Sequence, residues 1–189
     1  MDVPVIETER LILRGHRLED FDALAGMWAD PQVARFIGGK PATREESWAR
    51  LLRYSGHWML LGFGYWAVEM KAGALFIGDV GFANWQRQIT PSLDGMPEVG
   101  WAFSSTTQGR GLATEAVQAA LAWADSHFDG ATTTCIIGVD NAASIRIAEK
   151  TGYQEYARAE FKGKEVIQFR RSKESSSLAL VSRALGSRQ

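Results

Sequence analysis

Gln108-Gly109-Arg110-Gly111-Leu112-Ala113-Thr114-Glu115-Ala116 stands between a segment of strand composition and a segment of helical period, and its reading decides the fold. Glycines at 109 and 111 open backbone conformations closed to other residues, so that successive N–H groups can turn toward one anion. The helix that follows adds unpaired N–H donors at Leu112, Ala113 and Thr114 and the positive end of its dipole. Such a loop holds a pyrophosphate with few basic side chains, and Arg110 can add a charge-assisted contact. A tight turn ahead of a helix uses the same glycine pair, so the pair alone leaves both readings open. Two other phosphate loops are excluded, because no Gly-Lys-Ser/Thr follows and the spacing Gly-x-Gly-x-x-Gly is not met.

Downstream, Ala113, Ala116, Val117, Ala120, Leu121 and Ala124 recur at helical spacing and define one apolar face, which Gly130 closes. Thr132 to Val139 reads as a buried strand and Ala142 to Lys150 as a short helix. Tyr153 to Phe161 and Glu165 to Arg171 read as a hairpin turning at Lys162-Gly163-Lys164. Upstream, Tyr65 to Met70, Leu75 to Phe82 and Glu98 to Phe103 are rich in aromatic and β-branched residues and form a meander. The last two are joined by a longer polar loop that holds Pro91, Asp94, Gly95 and Pro97. Further back, Thr43 with Glu46 three residues on predicts a helix start, and Asp30-Pro31 breaks a helix running from Leu18 to Ala29 with Leu18, Phe21, Ala25 and Trp28 on its apolar face. Arg10 to Arg14 is a short first strand. The chain therefore reads as an α/β (α+β) domain over residues 1–171, followed by a Ser-rich tail, 172–189, that is either flexible or a docking helix.

A length of 189 residues suits one domain. With 46% apolar and 23% charged residues the chain is globular, and a net charge of −1 gives no electrostatic reason for a nucleic-acid or membrane partner. Cys135 is the single cysteine, which excludes an intrachain disulfide. It sits in an apolar strand as a small hydrophobe. The N-terminus shows no signal-peptide pattern, so the expected location is the cytoplasm. His16, His57 and His127 are scattered without metal-site or triad spacing, and no metal is expected.

Four motifs in order carry a resemblance. Gln108-x-x-Gly111-x-Ala113 resembles the acyl-CoA signature of the GCN5-related N-acetyltransferase (GNAT) superfamily, and Glu98-Val99-Gly100-Trp101 resembles its Glu-x-Gly-aromatic strand. Asn141-Ala142-Ala143-Ser144 followed by Glu149-Lys150-Thr151-Gly152-Tyr153 resembles its Asn-x-x-Ser element, and Glu7-Thr8-Glu9-Arg10-Leu11-Ile12-Leu13-Arg14 resembles the opening of the branch that includes ribosomal-protein N-terminal acetyltransferases. The resemblance spans roughly residues 7 to 171 and implies a mixed, mostly antiparallel central sheet of about six to seven strands with helices on both faces. It also implies acetyl-CoA as cosubstrate and transfer of its acetyl group to an amine by direct attack.

The implied site residues follow the motifs. Gln108, Gly109, Arg110, Gly111, Leu112, Ala113 and Thr114 would hold the pyrophosphate. Strand backbone from Trp101 to Ser104 would pair with pantetheine, and an N–H near Phe103 would meet the oxyanion. A lysine or α-amino acceptor arrives protonated near neutral pH, so a base is useful, and Glu98 is the candidate. Its other readings are a solvent-facing strand residue or a group that binds the amine by charge alone. Asp79 and Glu69 are weaker candidates, read as surface residues. Many members place a Tyr four residues before the Gly of the last motif, where this chain has Ala148. The ribosomal-protein branch offers Ser144 as proton donor to the leaving thiolate and Asn141 as a cofactor ligand. Asn141 is equally an N-cap and Ser144 a first-turn residue, and solvent can protonate the thiolate.

The acceptor is open between a protein N-terminus and a small amine such as an amino acid, aminoglycoside or polyamine. Trp85 and Trp101 flank the polar loop and could line its pocket. The alternatives are a non-catalytic acyl-CoA-binding regulatory domain and a partner-binding module that uses the tail. A homodimer is left open.

Overall fold

The computed structural model describes residues 2–172, so the tail expected beyond Ser172 lies outside the described residues. Among the described residues the fold is mixed α/β with eight strands, mostly antiparallel. Seven match the segments anticipated from composition, and the eighth is the two-residue β1 (Ile6–Glu7). The described residues divide into two units: the first comprises residues 2–83 with Val99–Ala120, the second Asn84–Glu98 with residues 121–172.

In the first unit β1, β2 (Leu11–Arg14), β3 (Tyr65–Met70) and β4 (Leu75–Ala83) pair antiparallel, with Leu13 opposite Val68 and Trp66 opposite Val80. Strand β5 (Glu98–Phe103) is next in order. The helices are α1 (Phe21–Ala29), the single turn α2 (Pro31–Ala34), α3 (Arg44–Leu61) and the start of α4 (Leu112–His127). Thr43 and Glu46 close a reciprocal capping box at the head of α3, as their spacing predicts. Leu11, Leu13, Leu24, Trp66, Val68, Val80, Phe82 and Val117 are all fully buried. Each large apolar side chain so buried contributes roughly 1.5–3 kcal/mol against exposure.

Two expectations are corrected here. The helix read from Leu18 begins at Phe21. Residues 18–20 form a 3-10 turn, Leu18 is 69% exposed, and Leu24 and Met27 enter the core instead. Asp20 causes this, because it is pinned by Arg14 Nη1 and Nη2 at 2.7 Å each and by the Arg17 N–H at 2.7 Å. Asp79, read as a surface residue, is fully buried. Its Oδ1 accepts from His16 Nε2 at 2.8 Å and its Oδ2 from Trp28 Nε1 at 3.1 Å, so both oxygens are satisfied without water. Asp30 ends α1 and caps α2, where Pro31 takes the position in which a missing N–H does no harm.

In the second unit Glu98, at the start of β5, pairs parallel with Thr134 of β6 (Thr133–Gly138). β6 pairs antiparallel with β8 (Lys164–Arg171), and β8 with β7 (Gln154–Phe161). Lys162 and Gly163 both have positive φ, the two-residue turn that matches strand twist. Helix α5 (Ala142–Lys150) begins at the residue its cap predicts. Cys135 is buried, as expected for a small hydrophobe. No helix among the described residues is long and apolar enough to cross a membrane.

Candidate active site

The Gly-rich segment lies in the first unit between β5 and α4. Gly109 and Gly111 have φ of +75° and +77°, in the left-handed region that disfavours a side chain. Among the described residues, the first backbone N–H after Gln108 to bond within the chain is that of Glu115, to the Gly111 carbonyl at 3.1 Å. The donors of residues 109–114 are thus left for a ligand, and the chemistry is that of a helix N-terminus presenting N–H groups to an anion. A pyrophosphate fits this donor set.

What holds the loop was missed in the sequence. Glu115, in the first turn of α4, accepts from the Thr8 hydroxyl at 2.6 Å, the Arg10 N–H at 3.0 Å and Arg10 Nε at 2.7 Å. Arg10 Nη1 also donates to the Arg110 carbonyl at 2.9 Å. Burial pushes the Glu115 carboxyl up, but the Thr8 and Arg10 donors outweigh it and hold it below its ordinary value. Thr8 and Arg10 belong to the N-terminal motif that the sequence offered only as a branch marker. Their signal was two polar side chains on either side of Glu9 at the mouth of a strand, with nothing local to satisfy them. The Arg110 side chain reaches Met70 Sδ at 3.8 Å.

On β5, Phe103 packs its ring against Gly78, where an added Cβ would lie 2.8 Å from Cδ1. The Ser104 N–H is committed to the Ile77 carbonyl at 2.9 Å, which removes Ser104 from the set of free strand donors. The indole N–H of Trp101 is buried without a hydrogen-bond partner among the described residues. An orphan donor of this kind is where a ligand amide or carbonyl would be expected.

In the second unit Glu98 is 6% exposed, so the solvent-facing reading is corrected. Arg87 grips it with two parallel bonds, Nε to Oε2 at 2.6 Å and Nη2 to Oε1 at 2.7 Å. Burial pushes the Glu98 carboxyl above the ordinary range, and Arg87 draws it part of the way back. Arg87 sits in the polar loop and had no sequence signal beyond its charge. Asn141 Oδ1 accepts from the Ser144 N–H at 3.1 Å, so the capping role of Asn141 is real and brings the two residues together at the head of α5. Ala148, where many members carry a tyrosine, is fully buried. Glu69 is the partner of Arg14, at 2.8 Å, and lies outside this arrangement.

The model for an acetyltransferase (GNAT) domain matches residues 10–154. An uncharacterized N-acetyltransferase, p20 of Bacillus licheniformis, is 26% identical over 149 residues, covering 78% of this chain and 81% of that one. A solved structure from Bordetella pertussis, ascribed to the same acetyltransferase family, is 30% identical with a TM-score of 0.79, covering 89% of this chain and 99% of that one. A ribosomal L7/L12 alpha-N-protein acetyltransferase, solved with coenzyme A, is 17% identical with a TM-score of 0.74, covering 91% and 99%. That last likeness is one of fold.

Proposed function

Because the chain belongs to the GNAT acetyltransferase family and is an acetyl-CoA-dependent N-acetyltransferase, we propose that it acetylates a primary amine and that its own residues divide the work as follows. Backbone donors of residues 109–114, with Gln108 and Arg110 beside them, hold the pyrophosphate. Trp101, Phe103 and the strand between them receive the pantetheine arm, and Asn141 adds a hydrogen bond to the cosubstrate. When bound, acetyl-CoA supplies a thioester carbon as electrophile.

Glu98 accepts a proton from the acceptor ammonium, directly or through water, and frees the nitrogen lone pair for attack. A new C–N bond then replaces the C–S bond. The attacking nitrogen gives up its second proton, which reaches the departing sulfur through Ser144 or solvent, and Glu98 releases the first to solvent, so charge and protons balance. The observation that carries this reading is the Gly109–Gly111 loop, whose unused N–H groups lead into α4. Membership among acetyltransferases does not favour a regulatory domain that binds acyl-CoA without turnover. The amine class is the finer part of the proposal, a protein N-terminus and a small amine being the two candidates.

Titration of the purified chain with acetyl-CoA by calorimetry tests the loop, with Gly111→Trp as control. Saturable binding lost in the variant supports the assignment, and thiol release across an amine panel then tests transfer. Equal binding by both proteins would remove the loop from the cosubstrate site.

A further inference from the structure

The Glu98 carboxylate is already neutralised within its own unit. Arg87 takes both of its oxygens, and the two side chains are 21% and 8% exposed, respectively. The guanidinium is further held between rings, 4.9 Å from the Phe161 centroid and 5.6 Å from that of Trp85. The loop that carries it is anchored by Ile89 and Leu93, buried with Val166, and by Gln168 Nε2, which donates to the Pro91 carbonyl at 3.1 Å. Arg87 is therefore a held cation whose side chain is still partly exposed.

Consider an acceptor ammonium that takes the Glu98 carboxylate. It must displace Arg87, and the guanidinium then stands partly desolvated with no counter-charge. A polyamine or an aminoglycoside brings more positive charge and makes this worse. A peptide N-terminus brings its ammonium and only an amide beside it. An amine that carries its own anion relieves both charges at once, the ammonium facing Glu98 and the anion facing Arg87.

Resting on the reading of Glu98 as the amine-facing group, we propose that the acceptor is a small amino carboxylate, its amine beside its acid group, and that Arg87 is the residue that selects for the acid. The planar fork of arginine suits a carboxylate through two parallel N–H bonds, the geometry it already shows with Glu98. Lysine in its place would keep the charge and lose the fork.

The test is thiol-release kinetics on the full chain with acetyl-CoA. The acceptors are several free L-amino acids, each beside its own amide, with spermidine and a peptide bearing a free N-terminus. The wild type is expected to favour the free acids over their amides by about tenfold or more in kcat/KM. Arg87→Gln is expected to bring that ratio toward one by losing the acids, and Arg87→Lys to retain part of it, which a purely structural loss would not do. Amides, spermidine or peptide used as well as the acids, or no thiol release from any free acid, would overturn the proposal. Glu98→Gln separates the two readings. If it turns over normally the base assignment falls, while the acid-to-amide ratio in the Arg87 variants still decides the role of Arg87.

Discussion

Arg10 and Glu115 stand 105 residues apart in the chain and meet side by side, Nε to Oε2 at 2.7 Å, with the Arg10 N–H on the other carboxylate oxygen at 3.0 Å. One arginine thereby ties the first turn of α4 to the Arg110 carbonyl at 2.9 Å, and so sets the loop between them. The Arg10 side chain is 44% exposed, which limits the pair to about 1 kcal/mol. Glu115→Ala is expected to weaken acetyl-CoA binding roughly fivefold with kcat unchanged. Calorimetric Kd beside steady-state kcat measures this, and an unchanged Kd would make the brace structural only.

The pH profile carries a second expectation. Burial raises the Glu98 carboxyl and Arg87 opposes the rise. A base works only when ionised, so the rising limb of kcat/KM lies above the ordinary carboxylate range. Arg87→Gln removes the opposing charge and moves the limb further up. Using two acceptors of different amine pKa separates the limbs, since only the amine limb moves with the acceptor. A limb at or below the ordinary carboxylate range removes Glu98 as base.

Stability in acid is governed elsewhere. Arg14 holds Asp20 with two bonds at 2.7 Å and Glu69 with one at 2.8 Å, and its side chain is 9% exposed. Burial pushes the Asp20 carboxyl up, but Arg14 and the Arg17 N–H more than reverse it, so the carboxyl titrates below its usual range. Such a group stabilises the fold above its unfolded pKa and loses that contribution as pH falls through the folded value. Arg14→Ala strands two carboxylates and is expected to destabilise by about 3–5 kcal/mol near neutral pH. Urea denaturation from neutral to acidic pH should show the gap to wild type narrowing in acid.

Gly78 lies where β4 comes close to β5. An added Cβ would lie 2.4 Å from the Ala102 carbonyl oxygen, a backbone atom with little freedom to move. Gly78→Ala is expected to destabilise by about 1–3 kcal/mol. The control is Gly138→Ala, where an added Cβ meets nothing within 4 Å. Thermal melts of both variants compare them, and an equal fall in the two would remove the close approach as the cause.

The parts of the fold that announced themselves did so through local physics. Thr43 and Glu46 satisfy each other within one turn, β5 spans the Glu98–Phe103 segment its composition marks, and Asn141 caps the helix it precedes. The partners that fix the candidate site are non-local and left no period to read. Thr8 meets Glu115 across 107 residues, and Arg87 reaches Glu98 across the polar loop. Asp79 misled for a related reason. Every residue of β4 from Ile77 to Ala83 is buried, so the usual inference from a strand carboxylate to solvent fails. Its satisfying groups, His16 in the loop after β2 and Trp28 in α1, lie far along the chain and could not be paired with it by spacing alone.

A loop that grips through main-chain amides has a further property. Those amides neither gain nor lose a proton across the range in which enzymes work, whereas Glu98 and any acceptor amine both do. The donor set at residues 109–114 is therefore indifferent to acidity. With the loop and Glu98 in their proposed roles, a division of labour is expected: one partner of the reaction retained at constant strength, the other admitted according to its ionisation. Acidity is then expected to select among acceptors and to leave the hold on the acetyl donor alone.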